Sequence, residues 1–275
     1  MSILKETLQL ANGENIPLIG LGTWQMSPEE AERTVAYALK NGYVHIDTAR
    51  SYRNEEGVGR GMKASGLDRE DYFLTTKVTG ESKSYDEAKK DIEDSLAALD
   101  TPYLDLVIIH APRPWDEMRV DHIDNYYYEE NKEAWRAMEE LYEEGKVKAI
   151  GVSNFEIDDL KNLLEHSKVK PMLNQIKYHI GSRDEELVQF CQENDMVVEA
   201  YSPIGTGKLL DNEDIKKIAE KYDKTTAQVS IRYAYQKGLV VLPKSVHEEY
   251  IDQNADIDFE ISVPDMDYLN RLVLN

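Results

Sequence analysis

Stretches with apolar residues at every third or fourth position alternate along the chain with short runs of β-branched, aromatic and aliphatic residues. The runs are LIGLG (18–22), YVHI (43–46), YFLTTKV (72–78), LDLVIIH (104–110), KAIGVS (148–153), MLNQI (172–176), MVVEAYS (196–202) and LVVLP (239–243), all of strand length. Helix starts fall between them. Ser27-Pro28-Glu29-Glu30 has the spacing of a capping box with proline at the first helical position, and its helix should stop near Gly42. Ser84 with Glu87, Ser182 with Glu185, and Thr225 with Gln228 repeat that spacing, while Asn131 and Gly145 bracket EAWRAMEELYEE. Seven to eight strands alternating with helices predict a parallel sheet, either closed as a (β/α)8 barrel or open and doubly wound. The strand count and the lack of a linker or composition break favour the TIM barrel, with residues 1–275 as a single domain. TLQLANGENIPLI, ahead of the barrel pattern, carries two short runs around Asn12-Gly13, a hairpin signal. That hairpin is placed to cover the bottom of the barrel.

An open nucleotide-binding sheet would show a glycine fingerprint after its first strand, and Gly20-x-Gly22 lacks the third glycine because position 25 is Gln. Gly57-x-Gly59 and Gly205-x-Gly207-Lys208 are also poor matches to phosphate loops and read as turn glycines. Composition narrows the partners. In a chain of 275 residues, 41% hydrophobic and 31% charged, no apolar run approaches the roughly 20 residues of a membrane span. A net charge of −21 argues against nucleic acid or an anionic membrane as partner. Cys191 is the single cysteine, so neither an internal disulfide nor a multi-cysteine metal site is expected; it reads as helix core. The opening MSILKETLQLANGENIP has no basic segment followed by a long apolar one, so a cytoplasmic protein is expected.

Chemistry in such a barrel sits at the C-terminal ends of the strands. Asp47 ends one run, Tyr52 follows in its loop, Lys77 lies near the end of the next run, and His110 ends the one after. A tyrosine near a lysine suits proton transfer: the ammonium should stabilise the phenolate and lower its titration from the usual value of about 10. A carboxylate keeps the lysine charged, and a histidine can donate to a carbonyl oxygen. A different constellation, a divalent metal on His45, Asp47 and His110, would make a barrel hydrolase instead.

The words GLGTW (20–24), GYVHIDTARSYRNEEGVG (42–59), FLTTKV (73–78), YLDLVIIHAP (103–112), GKVKAIGVSNF (145–155), NQIKYH (174–179), AYSPIGTGKLL (200–210) and VVLPKSV (240–246) resemble the aldo-keto reductases. The likeness is nearest to the bacterial branch acting on keto sugar acids and reactive carbonyls. It implies a (β/α)8 barrel, monomeric or weakly dimeric, that reduces a small-molecule carbonyl substrate with NADPH, and with NADH as a further possibility, without a dinucleotide-binding sheet. By that resemblance Tyr52 is the general acid, Lys77 and Asp47 its activating pair, and His110 the residue orienting the carbonyl. Thr23, Trp24 and Asp47 would border the cofactor. Ser153, Asn154 and Gln175 would hold the nicotinamide carboxamide and Tyr201 would stack on its ring. Ser202, Ile204 and Gly205 would line the pyrophosphate, and Lys244, Ser245 and Asn254 the adenosine end. No metal is implied.

Three departures qualify the resemblance. Ala111-Pro112 stands where the family has Trp-Pro, which removes an aromatic wall. Tyr250 stands where the family's phosphate-binding arginine falls, and Gln253-Asn254 where it has Glu-Asn, so the preference for NADPH should weaken. RPWDEMRVDHIDNYYYEEN (113–131) is a long insertion, and the chain ends at Asn275 without the family's long C-terminal loop. Trp115 and Tyr126 to Tyr128 are candidates for a flap replacing the lost wall, and Arg50, Arg53 and Arg113 for attracting a carboxylated substrate. A barrel that binds NADPH without turnover, a sensor, is the competing reading.

Overall fold

The structure, a computed structural model, describes residues 3–119 and 125–273. A hairpin leads: β1 (Thr7–Gln9) pairs antiparallel with β2 (Asn15–Pro17). Its loop closes through the Gly13 N–H donating to Leu10 O at 2.9 Å, with Gly13 at φ +93°, a conformation open to glycine at no steric cost.

Eight parallel strands follow in chain order: β3 (Leu21–Gly22), β4 (His45–Asp47), β5 (Phe73–Val78), β6 (Leu106–Ile109), β7 (Ile150–Ser153), β8 (Leu173–Lys177), β9 (Val197–Tyr201) and β10 (Val240–Leu242). The sheet closes on itself. Gly20 N–H donates to Val241 O at 3.0 Å and Val241 N–H to Leu18 O at 2.8 Å, joining the last strand to the segment that leads into the first. The closed barrel expected from the strand count is the fold, and each expected strand is found within a few residues of its place.

Strand alternation sorts the side chains into two layers. Leu74, Val107, Ile109, Ile150 and Val198 face the helices, in one continuous core. Phe73, Leu106, Ile108, Leu173 and Val240 face the axis, where Leu10 and Ile16 of the hairpin pack beneath them. The hairpin therefore plugs the bottom of the barrel with apolar side chains. Higher up the axis the inward positions turn polar.

The helices are α1 (Pro28–Lys40), α2 (Glu55–Ser65), α3 (Tyr85–Ala98), α4 (Tyr128–Glu143), α5 (Ile157–His166), α6 (Glu185–Glu193), α7 (Glu213–Lys221), α8 (Thr226–Gln236), α9 (Glu248–Ala255) and α10 (Val263–Arg271). None is long and apolar enough to cross a membrane. The capping boxes at Ser27 and Thr225 form in both directions, and Ser84 accepts from Glu87 N–H. Cys191 is buried in α6.

Three local expectations are corrected. α6 is capped by Asp184, which accepts from Leu187 N–H at 2.9 Å, because Ser182 is already bound backbone to backbone with His179 across a tight turn. α4 starts before Asn131. That side chain points instead to the β6 loop, donating to Pro112 O at 2.9 Å and accepting from Lys83 at 2.7 Å. Gly57 and Gly59 are not turn residues but lie inside α2, where an added Cβ would come within 2.0 Å of Pro28 O and 2.7 Å of Leu99 O. They are glycine because two helix backbones press against them.

Candidate active site

A cavity of about 770 Å³ opens at the C-terminal ends of the strands, a size in the range of small-molecule and cofactor sites. Its floor is set by β4 and β5. Asp47 is the last residue of β4, and its carbonyl accepts from both the N–H and the hydroxyl of Thr23 at 3.0 Å. The chain then makes one 3-10 turn, Arg50–Tyr52, before α2. Asn54 clips that turn in place: its amide donates to Thr23 O at 2.9 Å and Met26 O at 3.1 Å, while its oxygen accepts from Thr48 at 3.1 Å. Thr76 donates to Glu55 at 2.7 Å, fixing the start of α2 to β5. The backbone carrying Tyr52 is thus held on both sides.

Lys77 is buried, and its ammonium donates to Asp47 Oδ1 at 2.7 Å, Asp47 Oδ2 at 2.6 Å and Thr48 O at 2.8 Å. These contacts fix the ammonium against β4. Its Nζ also lies 5.1 Å from the centroid of the Tyr52 ring. Burial works against the ammonium, but Asp47 and Tyr52 outweigh it and hold its pKa above the ordinary value. For Tyr52 the expected lowering is not what the site produces. Burial pushes its hydroxyl up to about 12, against the opposing pull of Lys77, so the phenol keeps its proton at neutral pH.

His110 meets the Tyr52 ring edge to face, centroids 5.5 Å apart, and Trp115 likewise at 5.1 Å. Its Nδ1 lies 3.1 Å from Ser51 Oγ. Burial first, then Lys77, keeps the imidazole well below its usual pKa and therefore neutral.

The other walls come from β7 to β10. Ser153, Asn154, Gln175, Tyr201, Ser202, Ile204 and Lys244 all line the cavity, as does Trp24 opposite them. Asn154 accepts from the Tyr201 hydroxyl at 2.8 Å and donates to His110 O at 3.0 Å, tying two walls together. Ser153 donates to Gln175 O at 2.8 Å. Four expected residues stand apart from the walls. Thr23 and Gly205 are buried behind them, Ser245 bonds to the backbone of His247, and Asn254 is buried in α9.

The insertion divides in two. Trp115 reaches the cavity and meets His110 edge to face, whereas Tyr127 donates to Glu117 at 2.6 Å and Tyr126 packs on Tyr128, with none of the three tyrosines on the cavity wall. Residues 120–124 of the insertion lie outside the described residues. The three arginines are also off the wall. Arg50 is engaged by Asp94 at 3.0 Å and Glu55 at 3.3 Å, and Arg113 is buried 3.9 Å from Asp159. The metal alternative fails on placement: His45 Nδ1 faces Pro17 O at 3.2 Å below the cavity, and among the described residues no three His, Cys, Asp or Glu are grouped to hold an ion.

Ser51, Lys177 and Thr206 join the site without having been foreseen. Lys177 follows the inward period of β8 from Gln175, a signal that was present; Ser51 and Thr206 carry none.

The sequence profile of the Aldo/keto reductase family matches residues 18–273. The chain belongs to the aldo-keto reductase family. This reductase is 45% identical over 271 residues to the glyoxal reductase of Bacillus subtilis (strain 168), an alignment covering 98% of this chain and 93% of the relative. The crystal structure of an aldo/keto reductase from Brucella melitensis matches it with a TM-score of 0.89 and 42% identity over 97% of each chain. Bombyx mori aldo-keto reductase, solved in complex with NADP, matches with a TM-score of 0.85 and 33% identity over 97% of this chain and 92% of that one. The reductase is accordingly an oxidoreductase.

Proposed function

We propose that this reductase converts small reactive aldehydes and ketones, α-dicarbonyls and keto sugar acids among them, to alcohols with NADPH, and that Tyr52 donates the proton. The observation that carries the reading is the convergence of Tyr52, His110 and the Lys77–Asp47 pair at one end of a cavity whose far end is basic.

The donor set of the cavity fits a dinucleotide. Ser202, Gly205, Thr206 and Gly207 have φ of 53°, 58°, 56° and 88° in a tight turn closed by Gly205 N–H on Ser202 O and Gly207 N–H on Ile204 O, which brings backbone at Ser202, Ile204 and Thr206 to the cavity wall. Lys177 and Lys244 lie on the wall, and among the described residues neither has a carboxylate within 4.0 Å. Two uncompensated ammonium groups in a strongly acidic protein suit phosphate. Tyr201 offers a ring face, and Ser153, Asn154 and Gln175 offer the polar edge for a carboxamide.

Bound NADPH would supply a hydride from its nicotinamide ring. The substrate oxygen sits between the Tyr52 hydroxyl and the His110 ring edge. With Nδ1 accepting from Ser51, the neutral imidazole carries its hydrogen on Nε2 and donates it to the carbonyl, polarising the carbon. The Tyr52 proton passes to the oxygen as the carbon is reduced, leaving phenolate beside the Lys77 ammonium. Asp47 prevents that ammonium from losing its proton in place of Tyr52. A hydroxyl titrating near 12 is a weak acid at rest, and the developing alkoxide, more basic still, draws its proton only during the reaction.

Trp115 takes the place of the aromatic wall that Ala111 gives up, standing over His110 from a different part of the chain. Loss of NADPH absorbance with aldehydes, α-dicarbonyls and keto sugar acids tests the proposal. Consumption at a saturable rate with at least one class is the expected result; tight NADPH binding with no consumption across the panel would give the cavity to a sensor instead.

A further inference from the structure

Below the Lys77–Asp47 pair the barrel encloses a second acid that the chemistry above does not use. Glu199 of β9 points to the axis and is wholly buried. Its Oε2 accepts from Gln175 Nε2 at 2.6 Å, and the same nitrogen lies 3.0 Å from Asp47 Oδ2. One amide group therefore bridges two carboxyl groups. Glu199 Oε1 has no hydrogen-bond partner and faces His45 Nε2 at 3.6 Å. The groups around Glu199 are Asp47 and His45 from β4, Thr75 and Lys77 from β5, and Gln175 from β8.

Charge and hydrogen counting decide the state of this cluster. Lys77 is its one cation, and its ammonium donates to Asp47 and Thr48, not to Glu199. An ionised Glu199 would be a second buried anion with no counter-charge, an arrangement the interior does not tolerate. Pro17 O can only accept, so His45 Nδ1, at 3.2 Å, carries the ring hydrogen, and the Nε2 lone pair accepts from the Thr75 hydroxyl at 3.3 Å. The proton of a neutral Glu199 falls to Oε1, because Oε2 is occupied in accepting from Gln175.

We propose that Glu199 is a positioning residue held in its neutral form, its proton carried on Oε1, so that Oε2 holds the Gln175 nitrogen and leaves the Gln175 oxygen as a fixed acceptor in the cavity. The proposal rests on the reading of the cavity as the nicotinamide site, because a fixed acceptor there meets the carboxamide N–H. The titration directions agree: burial, then Asp47, raises Glu199 to about 8, and burial lowers His45 to about 3. Asp47 gains as well. With Glu199 neutral, the Lys77 ammonium serves one carboxylate alone.

The test uses the whole protein and three readouts. The infrared C=O band of a protonated carboxylic acid should be present in the wild type at pH 7, should titrate away near the value given above, and should be missing from E199Q. NADPH affinity, read by tryptophan quenching, should weaken about tenfold in E199L, which leaves the Gln175 amide free to turn, and turnover at saturating NADPH should fall much less. E199Q reproduces the donor and acceptor of the protonated acid and should restore affinity to within about threefold, without the weakening expected of the wild type above pH 8. Absence of the band from the wild type at pH 7, or an E199Q protein binding as poorly as E199L, would overturn the proposal. The infrared band needs no cofactor and no variant to fold. A wild type that shows the band and fails to bind NADPH would therefore count against the cofactor reading and not against the protonation state.

Discussion

The two ends of the cavity are built by different means. At the catalytic end Lys77 is 1% exposed, donates three hydrogen bonds to strand and loop oxygens, and sits in a barrel interior that cannot rearrange without opening the sheet. Beyond the other end, where the proposal puts the adenosine, Tyr250 is 52% exposed, Ser245 bonds to its own loop, and Arg33 of α1 donates to the backbone oxygen of Val246 at 3.3 Å. On that proposal strand ends hold the reaction chemistry, while a loop and a short helix hold cofactor preference. The first should be intolerant of change and the second easily tuned.

The largest effect expected from breaking this contrast is at Lys77. Lys77→Met strips Asp47 of its partner inside the barrel and should cost about 3–5 kcal/mol of stability as well as turnover, read from urea midpoints and NADPH consumption. A loss under 1 kcal/mol would mean the pair is more hydrated than the structure shows. At the other end Lys244→Ala should leave the fold intact and raise KM for NADPH about tenfold while hardly moving KM for NADH; equal changes would remove Lys244 from the phosphate contact. Tyr250→Arg sharpens the same comparison in reverse, with an expected rise in NADPH over NADH selectivity of about three- to tenfold.

An effect confined to a narrow pH window should come from the acid and histidine beneath the catalytic pair. Glu199 keeps in the folded state, up to about pH 8, a proton that the unfolded chain releases near 4.5, so stability falls as pH rises through that window. His45 acts in the opposite sense, since its folded value of about 3 lies below the 6.5 of the unfolded chain and stability is lost as pH falls through that interval. Only Glu199 remains active above 6.5. The wild type should therefore lose up to about 2 kcal/mol between pH 6.5 and 8 that E199Q retains, and parallel unfolding curves for the two would refute it.

What could be read in advance follows the same division. Strand period put Asp47, Lys77 and His110 near strand ends and Tyr52 in the loop that follows, while the roles given to them came from the resemblance; the parallel barrel then fixes what faces what. Glu199 was hidden inside MVVEAYS, where an acid in a strand has no visible partner. Its partners are Gln175, 24 residues away, and His45 on another strand, and only closure of the barrel brings them together. The lowering expected for the Tyr52 hydroxyl failed for a related reason: the nearby ammonium is plain in the sequence, whereas the burial that outweighs it is a property of the assembled site. Gly57 and Gly59 were misread because close approach of two helix backbones leaves no periodic trace.

Single-turnover reduction of a responsive carbonyl by wild type and Tyr52→Phe, with NADPH affinity measured on the same preparations, tests the central claim most directly. The account predicts unchanged NADPH affinity and a rate of hydride transfer lower by about 10²- to 10⁴-fold in the variant. A Tyr52→Phe protein that binds NADPH and reduces the carbonyl at a near-normal rate would contradict it.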